Sequence, residues 1–165
     1  MQLIVTSIGA TEATEASALV QASFMQLAAA DWEPSAQSIF LFESSPEEMA
    51  RKQKTAALSL GAFYEDKLVG VLLMPSPVLL AMLFVQPQQL RRGVARSLWE
   101  NARSEIEKRF PSAKTVELNS TPYAYGFYRS VGFAPISAEF RVGGCRATRM
   151  ACWLPARALG AENAL

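Results

Sequence analysis

The sequence has no histidine and only two cysteines in 165 residues. With no histidine and no Cys-x-x-Cys motif, a structural or catalytic zinc site is not expected, and no other metal is predicted. The two thiols, Cys145 and Cys152, cannot form the disulfide framework of a small secreted domain. We therefore expect a reduced chain in the cytoplasm.

The net charge is small, and long apolar runs are lacking. Sixteen basic and fifteen acidic residues give a net charge of +1, which argues against nucleic acid as the main partner. No apolar run reaches the length of a membrane span, so no membrane is expected as a partner. Leu3 to Ile8 is apolar, but no basic segment precedes it and Glu12 soon follows, which predicts a first strand and not a signal peptide.

The composition that is present fits one folded unit. Half of the residues are hydrophobic, and a chain of this length can bury a substantial core. The sequence contains no internal repeats. We predict a single domain over residues 1–155 and a loose tail over residues 156–165.

The most informative stretch runs from Leu83 to Arg96. An apolar strand ends near Pro87, and a helix then begins at the basic, glycine-containing sequence Arg-Arg-Gly-Val-Ala-Arg, residues 91–96. The first N–H groups of a helix lack partners within the helix, and its N-terminus favours anions. Three arginines in a first turn, where acids are normally favoured, indicate a bound phosphate. The alternative is a helix with solvated arginines, in which Gly93 serves only packing.

The flanking sequence completes a βαβ unit. Apolar residues at spacings of three and four predict a helix from Ala95 to Phe110, which Pro111 ends. Alternation predicts a strand from Lys114 to Asn119. A short helix is predicted next, capped by Thr121 and ended by Gly132.

At this point the chain resembles a known family. Leu83-Phe84-Val85-x-Pro87 with Arg91-Arg92-Gly93-Val94-Ala95, followed by Asn119 and by Phe127-Tyr128 with Gly132-Phe133, is similar to the two signatures of the GNAT superfamily, the GCN5-related N-acetyltransferases. The clearest match spans residues 83–133, and a looser one covers most of the chain. One departure is Leu90, which stands where the family usually has Gln or Arg and leaves one side-chain contact to the cofactor in doubt.

The predicted fold is α/β, a GNAT-like mixed sheet with helices on both faces, in the order β-α-α-β-β-β-α-β-α-β-β. Two helices precede a hairpin that turns at Glu65-Asp66-Lys67, and a last hairpin turns at Gly143-Gly144. The segment from Asp31 to Ser44 is predicted to be irregular, and Ser45 is predicted to cap the second helix. The fourth strand is expected over residues 78–85.

The resemblance implies acetyl-CoA as co-substrate. In the family the fourth and fifth strands splay apart, and the pantetheine arm pairs with the fourth strand between them. The backbone of Leu83 and Val85 would then form those hydrogen bonds. The residues expected to contact the cofactor are Leu83, Phe84, Val85, Arg91, Arg92, Gly93, Val94, Ala95, Arg96, Asn119 and Tyr125.

The reaction would move an acetyl group from acetyl-CoA to a primary amine by direct attack in a ternary complex. Tyr128 occupies the family's position for the acid that protonates the leaving thiolate; otherwise it only packs. Glu117 is the first candidate for the general base, because its side chain should point with that of Asn119. A solvated or ion-paired Glu117 is the simpler interpretation, and Glu139 and Tyr64 are weaker candidates.

The acceptor pocket should lie between the 31–44 segment and the last hairpin. Trp32, Phe40 and Phe42 would line it and would favour an acceptor with a hydrophobic part, although two or more of them could instead be core residues. The acceptor is expected to be a small molecule or peptide, and a homodimer is left open. The alternatives are a non-catalytic acyl-CoA-binding or protein-interaction module, and a toxin that acetylates charged tRNA, which the neutral charge balance disfavours.

Overall fold

The computed structural model describes residues 1–155, and the predicted tail over residues 156–165 lies outside them. No helix in the described part is both long and apolar enough to cross a membrane. The elements in chain order are β1 Leu3–Ser7, α1 Ala13–Leu27, α2 Pro34–Glu43, α3 Pro46–Thr55, β2 Leu58–Tyr64, β3 Lys67–Met74, β4 Met82–Val85, α4 Val94–Arg109, β5 Thr115–Ser120, α5 Tyr125–Ser130, β6 Ala134–Pro135, β7 Phe140–Val142 and β8 Cys145–Trp153.

The strands form two sheets that meet along the chain just before β4. The first sheet has the antiparallel order β1-β2-β3-β4, and the second has β5-β8-β6 with β7 paired to β8. A parallel bridge joins them: the Leu80 N–H donates to the Glu117 carbonyl at 3.0 Å, and the Glu117 N–H donates to the Val78 carbonyl at 2.8 Å. Beyond this bridge, within residues 1–155, β4 and β5 are not paired. The predicted mixed α/β architecture is confirmed, but the order has one helix more, α2, and one strand more, because β6 and β7 are separate strands.

Helices cover both faces of the first sheet, because each presents one apolar stripe. Leu98, Trp99 and Ile106 of α4 are fully buried in one core cluster. Val20 of α1 and Met49 of α3 are fully buried in the cluster on the opposite face. The spacing of three and four residues that predicted α4 is the spacing that buries these side chains.

The prediction that residues 31–44 are irregular is wrong. Pro34 to Glu43 form helix α2, with Pro34 in the first turn, where its missing N–H costs nothing. The apolar residues of this segment, Ile39 to Phe42, are consecutive and therefore show no helical period. The helix turns Phe40 inward and leaves Ile39 and Phe42 in solvent at 62% and 69% exposure.

Two further boundaries differ from prediction. β4 begins only at Met82, because the chain around Val78 and Leu79 pairs with β5 and stays about half exposed. The short helix α5 begins at Tyr125, whereas Thr121 caps the preceding turn by accepting from the Ala124 N–H at 3.3 Å.

The predicted turns and the predicted cap lie where the sequence placed them. Tyr64 pairs with Lys67 across a tight hairpin turn, and Val142 pairs with Cys145 across two glycines with positive φ. The Ser45 hydroxyl accepts from the Glu48 N–H at 3.4 Å. These features depend on local chemistry, so the sequence was sufficient.

Gly70 of β3 allows the close approach of α4 to the first sheet. A Cβ at this position would lie 2.8 Å from both Leu98 Cδ1 and Val94 Cγ1, which are buried. We expect Gly70→Ala to lower the free energy of unfolding by about 1–3 kcal/mol through overpacking. Urea unfolding measures this change.

Gly126 provides the matched control. It lies in α5, and a Cβ there would meet nothing within 4 Å. Gly126→Ala should therefore be neutral or stabilise by up to about 1 kcal/mol. Equal stability of Gly70→Ala and the wild type would show that α4 can shift away from the sheet without cost.

Candidate active site

A cavity of about 940 Å³ opens where β4 and β5 separate. One side is formed by β4, the turn that follows it and the start of α4, and another by β5 and α5, while α1 and α2 close one end. Of the residues predicted to form the site, those that line it are Trp32, Phe40, Leu83, Phe84, Val85, Arg91, Gly93, Val94, Ala95, Arg96, Asn119 and Tyr128.

The free edge of β4 faces this cavity. The Gln86 N–H donates to the Val69 carbonyl at 2.8 Å, which fixes the hydrogen-bonding phase of the antiparallel β3–β4 pair. Bonding direction alternates along such a pair, so Phe84 bonds to β3 while Leu83 and Val85 direct their N–H and C=O groups away from it. β4 is the last strand of its sheet, and these groups therefore point into the cavity.

The turn between β4 and α4 is shaped for an anion. Arg91 and Gly93 both have positive φ, at 59° and 80°. The first intrahelical bond runs from the Ser97 N–H to the Gly93 carbonyl, and no side chain caps the helix, so the N–H groups of residues 94–96 lack helical partners. Such a run of free N–H groups at a helix N-terminus binds anions. A left-handed arginine is strained, as is common at functional sites.

The charged side chains that line the cavity reinforce this preference. They are Arg91 and Arg96, and no Asp or Glu lines the cavity within the described part of the chain. Arg92, predicted with them, does not line the cavity, and its Nη1 donates to Gln89 Oε1 at 3.0 Å. The cavity is therefore cationic at the turn and carries no negative side chain to offset it.

Tyr128 reaches the cavity from α5. Its ring centroid lies 5.3 Å from that of Phe127 and 5.5 Å from that of Phe133. Burial raises the pKa of the Tyr128 phenol above its usual value. The group is therefore a protonated, neutral hydroxyl at neutral pH, which is the state that can give a proton.

Glu117 and Asn119 lie on the same side of β5, as alternation predicts, but only Asn119 lines the cavity. The Glu117 carboxylate pairs with Arg149, its Oε2 3.2 Å from Arg149 Nε. Tyr125 also lies outside the cavity and lines a smaller hollow beside Glu139.

The aromatic residues predicted for the acceptor pocket separate into two groups. Trp32 and Phe40 line the cavity together with Phe24, and the Phe24 ring centroid lies 5.0 Å from that of Trp32 and 4.1 Å from that of Phe40. Phe42 does not line the cavity and is exposed on the outer face of α2.

Several lining residues were not predicted. Some come from the last turns of α1, and others from the turn after β5 and from α5. A signal for the second group was available, because residues directly after a strand that borders a cleft are expected at its mouth. The unpredicted lining residues are Ser23, Phe24, Leu27, Ala28, Ala81, Gln89, Leu90, Thr121, Tyr123, Ala124, Gly126, Phe127 and Ser130.

Comparison with known proteins adds independent observations. The family described as "Acetyltransferase (GNAT) domain" matches residues 28–154. A sequence search of curated proteins finds no match.

Solved structures with the same fold are similar over most of the chain. A GCN5-related N-acetyltransferase from Rhodopseudomonas palustris, also described as a class-II aminotransferase, has a TM-score of 0.81 at 20% identity and covers 93% of this chain and 97% of that one. The PaiA N-acetyltransferase of Thermoplasma acidophilum, solved with coenzyme A, has a TM-score of 0.79 at 16% identity. The match covers 93% of this chain and 99% of that one. The ribosomal-protein-S18-alanine N-acetyltransferase of Escherichia coli has 0.68 at 20%, covering 99% of each chain.

Proposed function

Because the chain belongs to the GNAT acetyltransferase family, we propose that it transfers the acetyl group of acetyl-CoA to a primary amine of a small molecule or peptide. Family membership makes it an acyltransferase with acetyl-CoA as co-substrate. The observation that carries the proposal is a single cavity that holds the free edge of β4, the basic turn at Gly93 and the buried Tyr128 phenol together.

Two parts of the cavity fit this co-substrate. The free N–H groups of residues 94–96, with Arg91 and Arg96, suit the pyrophosphate. The unpaired backbone groups of Leu83 and Val85 suit the amides of a pantetheine arm, which would add to the sheet as a further strand.

The transfer needs an attacking amine and a protonated leaving group. The amine nitrogen forms a bond to the acetyl carbon, the carbon–sulfur bond breaks, and the thiolate takes up a proton. Tyr128 would give that proton, because it lines the cavity and a phenol is protonated at neutral pH. No step requires a metal, and within residues 1–155 no group of three or more His, Cys, Asp or Glu residues could hold one.

The base that takes the proton of the amine would act from outside the cavity lining. Since no carboxylate of the described residues lines the cavity, Glu117 would act through a water molecule while its carboxylate pairs with Arg149. The alternative is a non-catalytic module that binds acyl-CoA. Tyr128, which lines the cavity at the family's position for the acid, favours the enzyme.

Gly93 tests where the pyrophosphate binds. Gly93→Asp and Gly93→Asn add side chains of equal size into open space, and both meet the same positive φ. Only Asp adds a negative charge beside the helix N-terminus. We expect Gly93→Asp to bind CoA at least about tenfold more weakly than Gly93→Asn in calorimetric titration. Equal affinity of the two folded variants would place the phosphates elsewhere.

A substitution at Tyr128 tests whether its hydroxyl protonates the leaving thiolate. Tyr128→Phe keeps the ring and removes the hydroxyl, so CoA affinity should persist while kcat for thiol release falls by roughly 10²-fold. The wild-type rate should not fall up to about pH 10 through loss of this proton, because the pKa of the buried phenol is raised. An unchanged kcat would make Tyr128 a packing residue, and CoA binding without thiol release for any amine would indicate a binding module.

Glu117 tests the route of the amine proton. Glu117→Gln should lower turnover at pH 7 and recover partly at higher pH, where more of the amine is neutral. Glu107→Gln is the matched control, because Glu107 also belongs to an ion pair, with its Oε1 3.1 Å from Arg103 Nε, and lies outside the cavity. A wild-type pH profile for Glu117→Gln would rule this residue out as the base.

A further inference from the structure

The end of the cavity formed by α1 and α2 is apolar. Trp32, Phe40 and Phe84 are only partly buried by their own packing, and each of them lines the cavity. The last turns of α1 add Phe24, Leu27 and the hydroxyl-bearing Ser23, and Ala28 follows directly after the helix. These residues leave an apolar surface on which a ligand group could be buried.

This wall is held in place by packing and hydrogen bonds. The Trp32 and Phe40 ring centroids are 5.7 Å apart, and Phe40 lies 5.7 Å from Phe84 of β4. The Gln37 side-chain amide donates to the Ala29 carbonyl at 2.7 Å and to the Trp32 carbonyl at 3.0 Å. The connection between α1 and α2 is therefore fixed, and the pocket is largely preformed.

The described acidic side chains near this end form ion pairs or lie in solvent, and none of them lines the cavity. Glu33 pairs with Arg141, with Oε1 3.7 Å from Nη1, and the Glu43 carboxylate accepts from Lys52 at 2.8 Å. Asp31 is exposed and does not line the cavity. A second cationic group on a ligand would find no carboxylate among the described lining residues.

We propose that the acceptor is a monoamine carried on an aromatic or branched apolar group, and that polycationic amines are poor substrates. This inference rests on the proposed function and names its acceptor class. A second ammonium group would lose water without gaining a carboxylate partner among the described lining residues. An apolar group would instead displace water from Trp32 and Phe40.

A substrate panel tests the class directly. We expect kcat/KM for 2-phenylethylamine to exceed that for 1,4-diaminobutane and for spermidine by at least about tenfold, measured as thiol release and as acetylated product. A preference for either polyamine would overturn the inference while the proposed function stands. Thiol release with none of these amines, in a protein that binds CoA, would overturn both.

A carboxylate added among the apolar lining residues tests whether the lack of such a group causes the preference for a monoamine. Leu27→Glu adds a carboxylate to the apolar end, and Leu27→Gln adds a neutral group of equal size. The ratio of kcat/KM for 1,4-diaminobutane to that for 2-phenylethylamine should be about 3- to 10-fold higher in the Glu variant. CoA affinity checks that both variants retain the cofactor site. An equal ratio in two folded, CoA-binding variants would show that the missing acid does not set the preference.

Discussion

Two backbone hydrogen bonds at Glu117 set the geometry on which the cavity depends. They join the chain at residues 78–80 to β5 and so connect the two sheets at one point. The pairing does not continue into β4 and β5, so the strands diverge. A longer ladder would have filled the space between them and satisfied the edge of β4. The cavity thus occupies the gap where the pairing between the two sheets is interrupted. For the shape of this gap, the backbone of Glu117 matters more than its side chain.

This interruption leaves polar backbone groups available at two adjoining places. Leu83 and Val85 present unpaired backbone N–H and C=O groups along β4. The start of α4 presents unpaired N–H groups shortly after Arg91, which has a left-handed backbone conformation. Unpaired backbone groups cost stability when they are enclosed without water, so such groups persist where a ligand or water can satisfy them. A long ligand with amides at one end and phosphates at the other matches both places.

Charge is distributed unequally along the cavity. The turn after β4 contributes cations, α5 contributes a neutral phenol, and α1 and α2 contribute mostly apolar side chains. Since no Asp or Glu of the described residues lines the cavity, an ammonium group finds no carboxylate partner there, and the cavity favours the neutral form of an amine. A neutral amine is the form that attacks a carbonyl carbon, so the electrostatic character of the cavity and the proposed chemistry agree.

The sequence by itself predicted the features that depend on neighbouring residues. The apolar stripe predicted α4, the turn residues predicted the hairpins, and Gly93 with its neighbouring arginines predicted a basic turn at the start of a helix. The tertiary structure alone decided which side chains meet. Helix α2 was missed because its apolar residues are consecutive, and it is packing against Phe24 and Phe84 that turns Phe40 inward and leaves Phe42 in solvent. Glu117 was correctly placed on the face of Asn119, yet Arg149 of a distant strand holds its carboxylate, because strand pairing brings together residues that sequence spacing does not relate.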